Sequence, residues 1–310
     1  MNYADQYQQL SQTPMYLTRP LGLIEITGSS RLDLIDRMST QKVKGLPAGT
    51  GAATVLTTDI GRIIDRLFLY SDDDRLLVVT AANNGENIIR YLIRFVFFND
   101  DFHMRDLSQS HSVISLYGAT AEALIKDSFD LDTGKIQKHH WRTVTLSDGT
   151  PITIHRTDPL GGHGYLLISP KESLESLKQQ LNQAGAREIQ RDVFGYFRVV
   201  EGLPLHGFEM TSDYIPLETG LWDDVSFNKG CYTGQEIIAR MESRGRVAKK
   251  LVKLAGDGEL SRGAEIMAAG KKVGTITSTL GGLALGYVKT STLDNEASLE
   301  VDGATVKIRP

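Results

Sequence analysis

The chain's one cysteine, Cys231, lies in a run that reads Lys-Gly-Cys-Tyr-Thr-Gly-Gln-Glu from Lys229 to Glu236. A thiol becomes a nucleophile or soft ligand as its thiolate, and nearby cations and a helix N-terminus favour that form. Lys229 precedes the cysteine, residues 235–241 read as a helix, and Arg240, Arg244 and Arg246 follow. The flanking Gly230 and Gly234 let backbone come close to a ligand. The competing reading is a small buried hydrophobe, a common fate for an unpaired cysteine. The residues alone leave both open. No histidine adjoins Cys231, although His206 or another distant histidine could approach it to form a Cys–His pair.

Two carboxylates have positions suited to chemistry. Glu201 ends a helical stretch over residues 188–201, where its oxygens could accept two parallel hydrogen bonds from an amino-pyrimidine edge such as a pterin. A solvated glutamate at a helix end is the plainer alternative. Asp65 follows the Gly61-Arg62 turn on a strand, where Asp65 and Arg66 face opposite sides. Ordinary surface charge is the default for both. The histidines show no metal-ligand spacing, so no metal site is expected. Gly161-Gly162-His163-Gly164 reads as a turn, since no strand-to-helix phosphate loop surrounds it. The basic run over residues 244–250 reads as a solvated linker. With a net charge of −4, direct nucleic-acid binding is not expected.

The elements that position these residues repeat. Residues 22–38 and 113–128 each read as an alternating strand, a glycine turn and an amphipathic helix. Strands at 76–80 and 165–169 each lead into a further helix, at 86–97 and at 172–182, the latter opened by Pro170. More strands fall around 53–58, 64–70, 141–146 and 152–156. Each half therefore predicts an α+β unit on the split βαββαβ, ferredoxin-like plan, with a groove between the two units. From about residue 248 the texture becomes short strands punctuated by Gly256–Gly258, Ala269-Gly270, Gly281-Gly282, Asp294-Asn295 and Asp302-Gly303, which predicts a small antiparallel barrel. The expected domains are 1–246, divided at about 110 into its two units, and 247–310.

Composition agrees with this size of core. The 310 residues are 41% hydrophobic and 23% charged, which suits two domains beneath a solvated surface. Residues 1–20 carry no signal-peptide pattern, and the apolar runs are too short to span a bilayer. One cysteine excludes an internal disulfide and a multi-thiolate site made by one chain. A soluble protein of a reducing compartment, the cytoplasm, with no membrane partner, is expected.

The stretch from Lys229 to Glu236, KGCYTGQE, resembles the signature of YgfZ-like proteins, a branch of the folate-binding aminomethyltransferase (glycine cleavage T-protein) superfamily. The likeness covers nearly the whole chain, including residues 61–70, 198–204, 216–227 and the terminal strands. It implies two ferredoxin-like units and a barrel around a folate groove, with tetrahydrofolate or a one-carbon-substituted folate as ligand. It makes Glu201 the pterin-recognising carboxylate and Cys231 the residue needed for activity, with Asp65 beside it as a catalytic candidate. Tyr196, Trp222, Lys229, Tyr232, Gln235 and Arg240 become lining residues. The implied role is an accessory protein for iron–sulfur cluster assembly or repair, partnered with iron–sulfur client or assembly proteins and supporting tRNA modification indirectly. The alternative is a tetrahydrofolate-dependent aminomethyl or methyl transferase. Aminomethyltransferases carry two adjacent aspartates where this chain reads Asp65-Arg66, so the second carboxylate is replaced by a cation.

Overall fold

The structure is a computed structural model that describes residues 2–310. Helix α1 (Tyr3–Gln9) is capped by Asn2, whose side chain accepts the Asp5 amide. Strands β1 (Met15–Arg19) and β2 (Leu21–Thr27) follow, separated only by Pro20. The first half continues with α2 (Arg31–Met38), β3 (Gly51–Thr57), β4 (Ile63–Ser71), β5 (Arg75–Ala82), α3 (Gly85–Leu92) and β6 (His103–Asp106). The second half runs β7 (His111–Tyr117), α4 (Ala121–Phe129), β8 (Trp141–Thr145), β9 (Pro151–Leu160), β10 (His163–Pro170), α5 (Leu174–Gln183) and β11 (Arg187–Glu188).

The two sheets have orders β3-β4-β5-β2-β6 and β11-β1-β7-β10-β9-β8. Corresponding strands of the halves occupy corresponding places, so the weak sequence repeat is a repeat of topology. Each half has the strand–helix–strands–helix–strand plan with three consecutive antiparallel strands between its helices, one more than the split βαββαβ outline. The second sheet also admits β1, which pairs antiparallel with β7 and parallel with β11.

Two predicted boundaries move. α3 stops at Leu92, with a 3-10 turn at Ile93–Phe95, because the Phe97 amide is taken by the Asp100 carboxylate, itself bound to Arg37. Pro170 closes β10 rather than opening a helix. Its register partner is His111, the next amide (Lys171) donates to Ser110 O, and α5 begins only at Leu174.

The chain divides into two compact units, one containing residues up to Thr54 with Leu67–Phe194, the other Val55–Arg66 with Gly195–Pro310. In the first, α4 and α5 cover one face of the second sheet through Leu124, Ile125, Leu177 and Leu181. Its helix-free face meets the first sheet through Leu23, Tyr70, Val79, Val113, Leu166 and Ile168. The second unit holds the end of α6 (Arg191–Glu201), α7 (Gln235–Ser243) and a closed barrel. The barrel is built of β12 (Lys249–Gly256), β13 (Glu265–Ala268), β14 (Lys271–Leu280), β15 (Leu283–Lys289), β16 (Leu299–Val301) and β17 (Ala304–Arg309), with α8 (Thr290–Asp294) between β15 and β16. Its core is aliphatic (Leu254, Ile266, Ile276, Val288, Val306). The tight turns Ala269-Gly270 and Asp302-Gly303 have φ of 48° and 71°, and 51° and 81°, as two-residue hairpins between right-twisted strands require.

Candidate functional site

The hairpin between β3 and β4 is closed by its own backbone: the Thr58 amide donates to Arg62 O and the Gly61 amide to Thr58 O. The start of β4 is held by Tyr214, whose carbonyl accepts the Ile63 amide at 3.0 Å. Strand alternation then sends Asp65 and Arg66 to opposite faces, and neither is ordinary surface charge. Asp65 is fully buried, its Oδ1 accepts the Arg66 amide at 2.8 Å, and His206 Nδ1 lies 3.6 Å from the same oxygen. Arg66 is bound to the buried Asp224, Nε to Oδ2 at 2.5 Å and Nη2 to Oδ1 at 3.2 Å. The Arg66 cation is therefore neutralised by a carboxylate far along the chain. His206, considered as a partner for the thiol, stands beside Asp65 instead.

The Cys231 loop sits on this hairpin. Thr57 Oγ1 donates to Thr233 O at 2.6 Å. Gly234, the N-cap of α7, has φ +84°, and a Cβ there would lie 2.5 Å from Thr58 O and 2.8 Å from Gly61 Cα. Glycine is required for both the backbone sign and the space. Gly234→Ala is expected to destabilise the second unit by about 2 kcal/mol, read from its urea midpoint.

Within the loop, side chains divide between core and solvent. Tyr232 is buried with Ile215, Leu217, Val225 and Ile238, and burial pushes its hydroxyl up to about 12. Lys229 Nζ stands 5.1 Å from the centroid of the Tyr232 ring, at cation–π range. Cys231 is exposed, which removes the buried-hydrophobe reading. Gln235 opens α7, whereas Arg240 is exposed on that helix and held by Glu236 at 2.7 Å. Glu201 is the last residue of α6, partly exposed, and Tyr196 is partly buried on the same helix. Trp222 is exposed, its ring 6.2 Å from that of Phe227. All these residues belong to the second unit. Thus Asp65, Tyr232 and the backbone under Cys231 are held together by the hairpin, while the Arg240 guanidinium is committed to the surface of α7.

Sequence reasoning missed a second fully buried carboxylate of this unit. Glu209 has no exposed surface and accepts from Arg198 Nη1 (2.9 Å), the Leu205 amide (3.0 Å), Thr277 Oγ1 (2.7 Å) and Ser278 Oγ. Arg198 Nη2 in turn donates to Ser278 Oγ at 2.6 Å, so α6 is bolted to β14 of the barrel. The available signal was a single charge inside the aromatic and apolar run Gly207-Phe208-Glu209-Met210. Among the described residues no group of three or more histidine, cysteine or acidic side chains could hold a metal ion, and no helix is long and apolar enough to cross a membrane.

Comparison with known proteins places this geometry. The sequence profile of the GCVT N-terminal domain matches residues 15–229. The chain belongs to the GCVT family. The profile of the CAF17 C-terminal beta-barrel domain matches residues 249–310, the barrel of this GCVT-family protein, so the likeness to YgfZ-like proteins within the aminomethyltransferase superfamily holds. An aminomethyltransferase of Cutibacterium acnes is 30% identical over 307 residues, covering 91% of this chain and 81% of that protein. A chloroplastic, transferase-named protein of Arabidopsis thaliana is 27% identical over 279 residues, 86% of this chain, and the match spans 63% of the plant protein's length. The glycine cleavage system aminomethyltransferase T of Bartonella henselae shares the fold, with a TM-score of 0.86 at 18% identity, covering all of this chain and 88% of that one. The GCVT-family fold with its closed six-stranded barrel is the mixed α and β architecture expected from the sequence.

Proposed function

We propose that this protein binds a reduced folate, tetrahydrofolate or a one-carbon-substituted form, and acts as an accessory factor for iron–sulfur cluster assembly or repair. The observation that carries the reading is the seating of the exposed Cys231 loop on the hairpin that bears buried Asp65, through Thr57, Thr233 and Gly234. A buried carboxylate and a solvent-facing thiol belong to one braced piece of structure. Glu201 is an acceptor that fits the donor edge of a reduced pterin, with Tyr196 and Trp222 as aromatic surface, and Asp65 is the catalytic candidate. Cys231 acts towards a client. One thiolate cannot hold a cluster alone, so the remaining ligands come from the iron–sulfur partner. Support of tRNA modification follows indirectly, through client enzymes. A lone exposed thiol suits the reducing cytoplasm.

The second reading, tetrahydrofolate-dependent aminomethyl transfer, draws on the aminomethyltransferase relatives. The Arg66–Asp224 pair favours the accessory role, because it leaves Asp65 without the neighbouring carboxylate of the transferases.

Tetrahydrofolate titration, followed by Trp222 fluorescence in a Trp141→Phe background, tests the folate claim. Saturable binding is expected, unchanged in Cys231→Ala and weakened roughly 10- to 100-fold in Glu201→Gln, the worth of a hydrogen bond to a charged group. Cys231→Ala is expected to lose the ability to restore iron–sulfur enzyme activity in cells lacking the protein. Absence of folate binding by the wild type removes the ligand from the account. Turnover with an aminomethyl donor establishes the transferase instead.

A further inference from the structure

The basic run over residues 244–250 is folded into the wall of a cleft in the second unit, rather than standing free as a linker. The cleft has a volume of about 610 Å³, and Trp222, Arg244, Arg246, Lys250, Thr290 and Asp294 line it. Its walls are tied together. Thr290, the first residue of α8, donates through its amide to Ala248 O at 3.0 Å and through Oγ1 to Val247 O at 2.6 Å. At the other end of that helix, Asp294 Oδ2 accepts from Arg246 Nη2 at 2.7 Å. Trp222 opens the 3-10 turn Trp222–Asp224, which the buried Asp224–Arg66 pair anchors, so the indole is braced although 41% exposed. The charge of the cleft is unbalanced. Arg246 and Asp294 neutralise each other, whereas among the described residues neither Arg244 nor Lys250 is ion-paired. Lys249 turns inward, its Nζ 4.3 Å from the Tyr214 ring centroid, and strand alternation sends Lys250 the other way, to the cleft. Arg244 follows the C-terminus of α7, which offsets about half a charge, and a clear positive excess remains.

We propose that this cleft binds a nucleoside monophosphate, its phosphate held by Arg244 and Lys250 and its base laid against the Trp222 ring. A phosphate monoester carries a charge of about −1.5 to −2 at pH 7 and three acceptor oxygens, which matches two unpaired cations better than a single carboxylate does. The guanidinium fork of Arg244 suits two of those oxygens, and the Lys250 ammonium serves as a point charge. Any base presents a flat face, so one exposed indole suffices to stack it. The volume falls within the range of about 300–1,000 Å³ found for small-molecule sites, far more than inorganic phosphate alone would fill. Trp222 is the one residue that this cleft shares with the folate reading. Arg244 and Lys250 take no part in that reading, and the inference stands without it.

The test is calorimetric titration of the full chain with adenosine monophosphate, adenosine, inorganic phosphate and p-aminobenzoylglutamate, the last a ring with two carboxylates in place of the phosphate. Saturable binding of the monophosphate is expected, with the other three each at least roughly tenfold weaker, the worth of the charged hydrogen bonds or of the stacked base. Arg244→Gln, Lys250→Gln and Trp222→Ala are each expected to weaken the monophosphate roughly tenfold. Lys271→Gln removes an exposed cation of the barrel outside the cleft and should leave the affinity unchanged. In a Trp141→Phe background, the monophosphate should quench Trp222 fluorescence with the same midpoint as the calorimetry. Failure of the monophosphate to saturate, equal affinity for adenosine, tighter binding of p-aminobenzoylglutamate, an equal loss in Lys271→Gln, or an unmoved Trp222 signal would each overturn the proposal.

Discussion

Glu209→Ala is expected to cost the second unit about 3–5 kcal/mol. The substitution deletes an acceptor for Arg198, Thr277, Ser278 and the Leu205 amide at once, all in a region closed to water. Most of the loss comes from Arg198, 5% exposed, which keeps its charge and loses its counter-ion. Glu209→Gln preserves the shape but leaves that charge uncompensated, so it should recover only part of the difference. The double variant Arg198→Met, Glu209→Leu removes both charges and is expected to lie near the wild type, because a buried ion pair gains little net stability over a packed apolar pair. Urea unfolding followed by Trp222, in a Trp141→Phe background, separates these cases. A Glu209→Ala loss below about 1 kcal/mol would assign the pair no stabilising role.

The first unit should show a matching sensitivity to acid. Burial lowers the pKa of His155 to about 3, whereas an unfolded histidine titrates near 6.5. Above pH 6.5 both states are neutral at this residue and it imposes no penalty. Between pH 6.5 and about 3 the unfolded chain binds one more proton than the folded one, so stability falls with falling pH, by roughly 5 kcal/mol across that window. The effect is read as the difference between wild type and His155→Phe, with unfolding followed by Trp141 in a Trp222→Phe background. The two curves should diverge below pH 6.5 and run parallel above it. Parallel curves down to pH 4 would mean that the imidazole takes up its proton without unfolding.

Much of this architecture was legible in local sequence. The turn pairs Ala269-Gly270, Gly281-Gly282 and Asp302-Gly303 each close a hairpin, and they mark the barrel in the sequence itself. The strand–glycine–helix repeat was visible at 22–38 and 113–128 because apolar periodicity is a local property. What escaped depended on partners distant in sequence. Asp65 and Arg66 read as surface charge, since Asp224, which neutralises Arg66, lies 158 residues away. Glu201 drew attention by its place at a helix end, while Glu209, with partners in β14 up to 69 residues on, looked unremarked beside it. The exposure of Cys231 followed from a loop in which Tyr232 takes the buried position, a division that glycine content alone did not disclose.

The placement of β1 has a consequence for how the molecule is made. This strand precedes the whole first half, yet it lies between β7 and β11 of the second sheet, pairing Met15 with Tyr117 on one side and Arg187 on the other. During synthesis it leaves the ribosome early and waits for more than half the chain before its second neighbour exists. Its partners are then reached only across long loops, a topology that folds slowly. The duplicated halves are thus no longer separable modules: a fragment beginning at β7 would lack an interior strand of its own sheet and present β7 and β11 as open edges. One short strand, passed across the single residue Pro20, turns two repeats into a single folding unit.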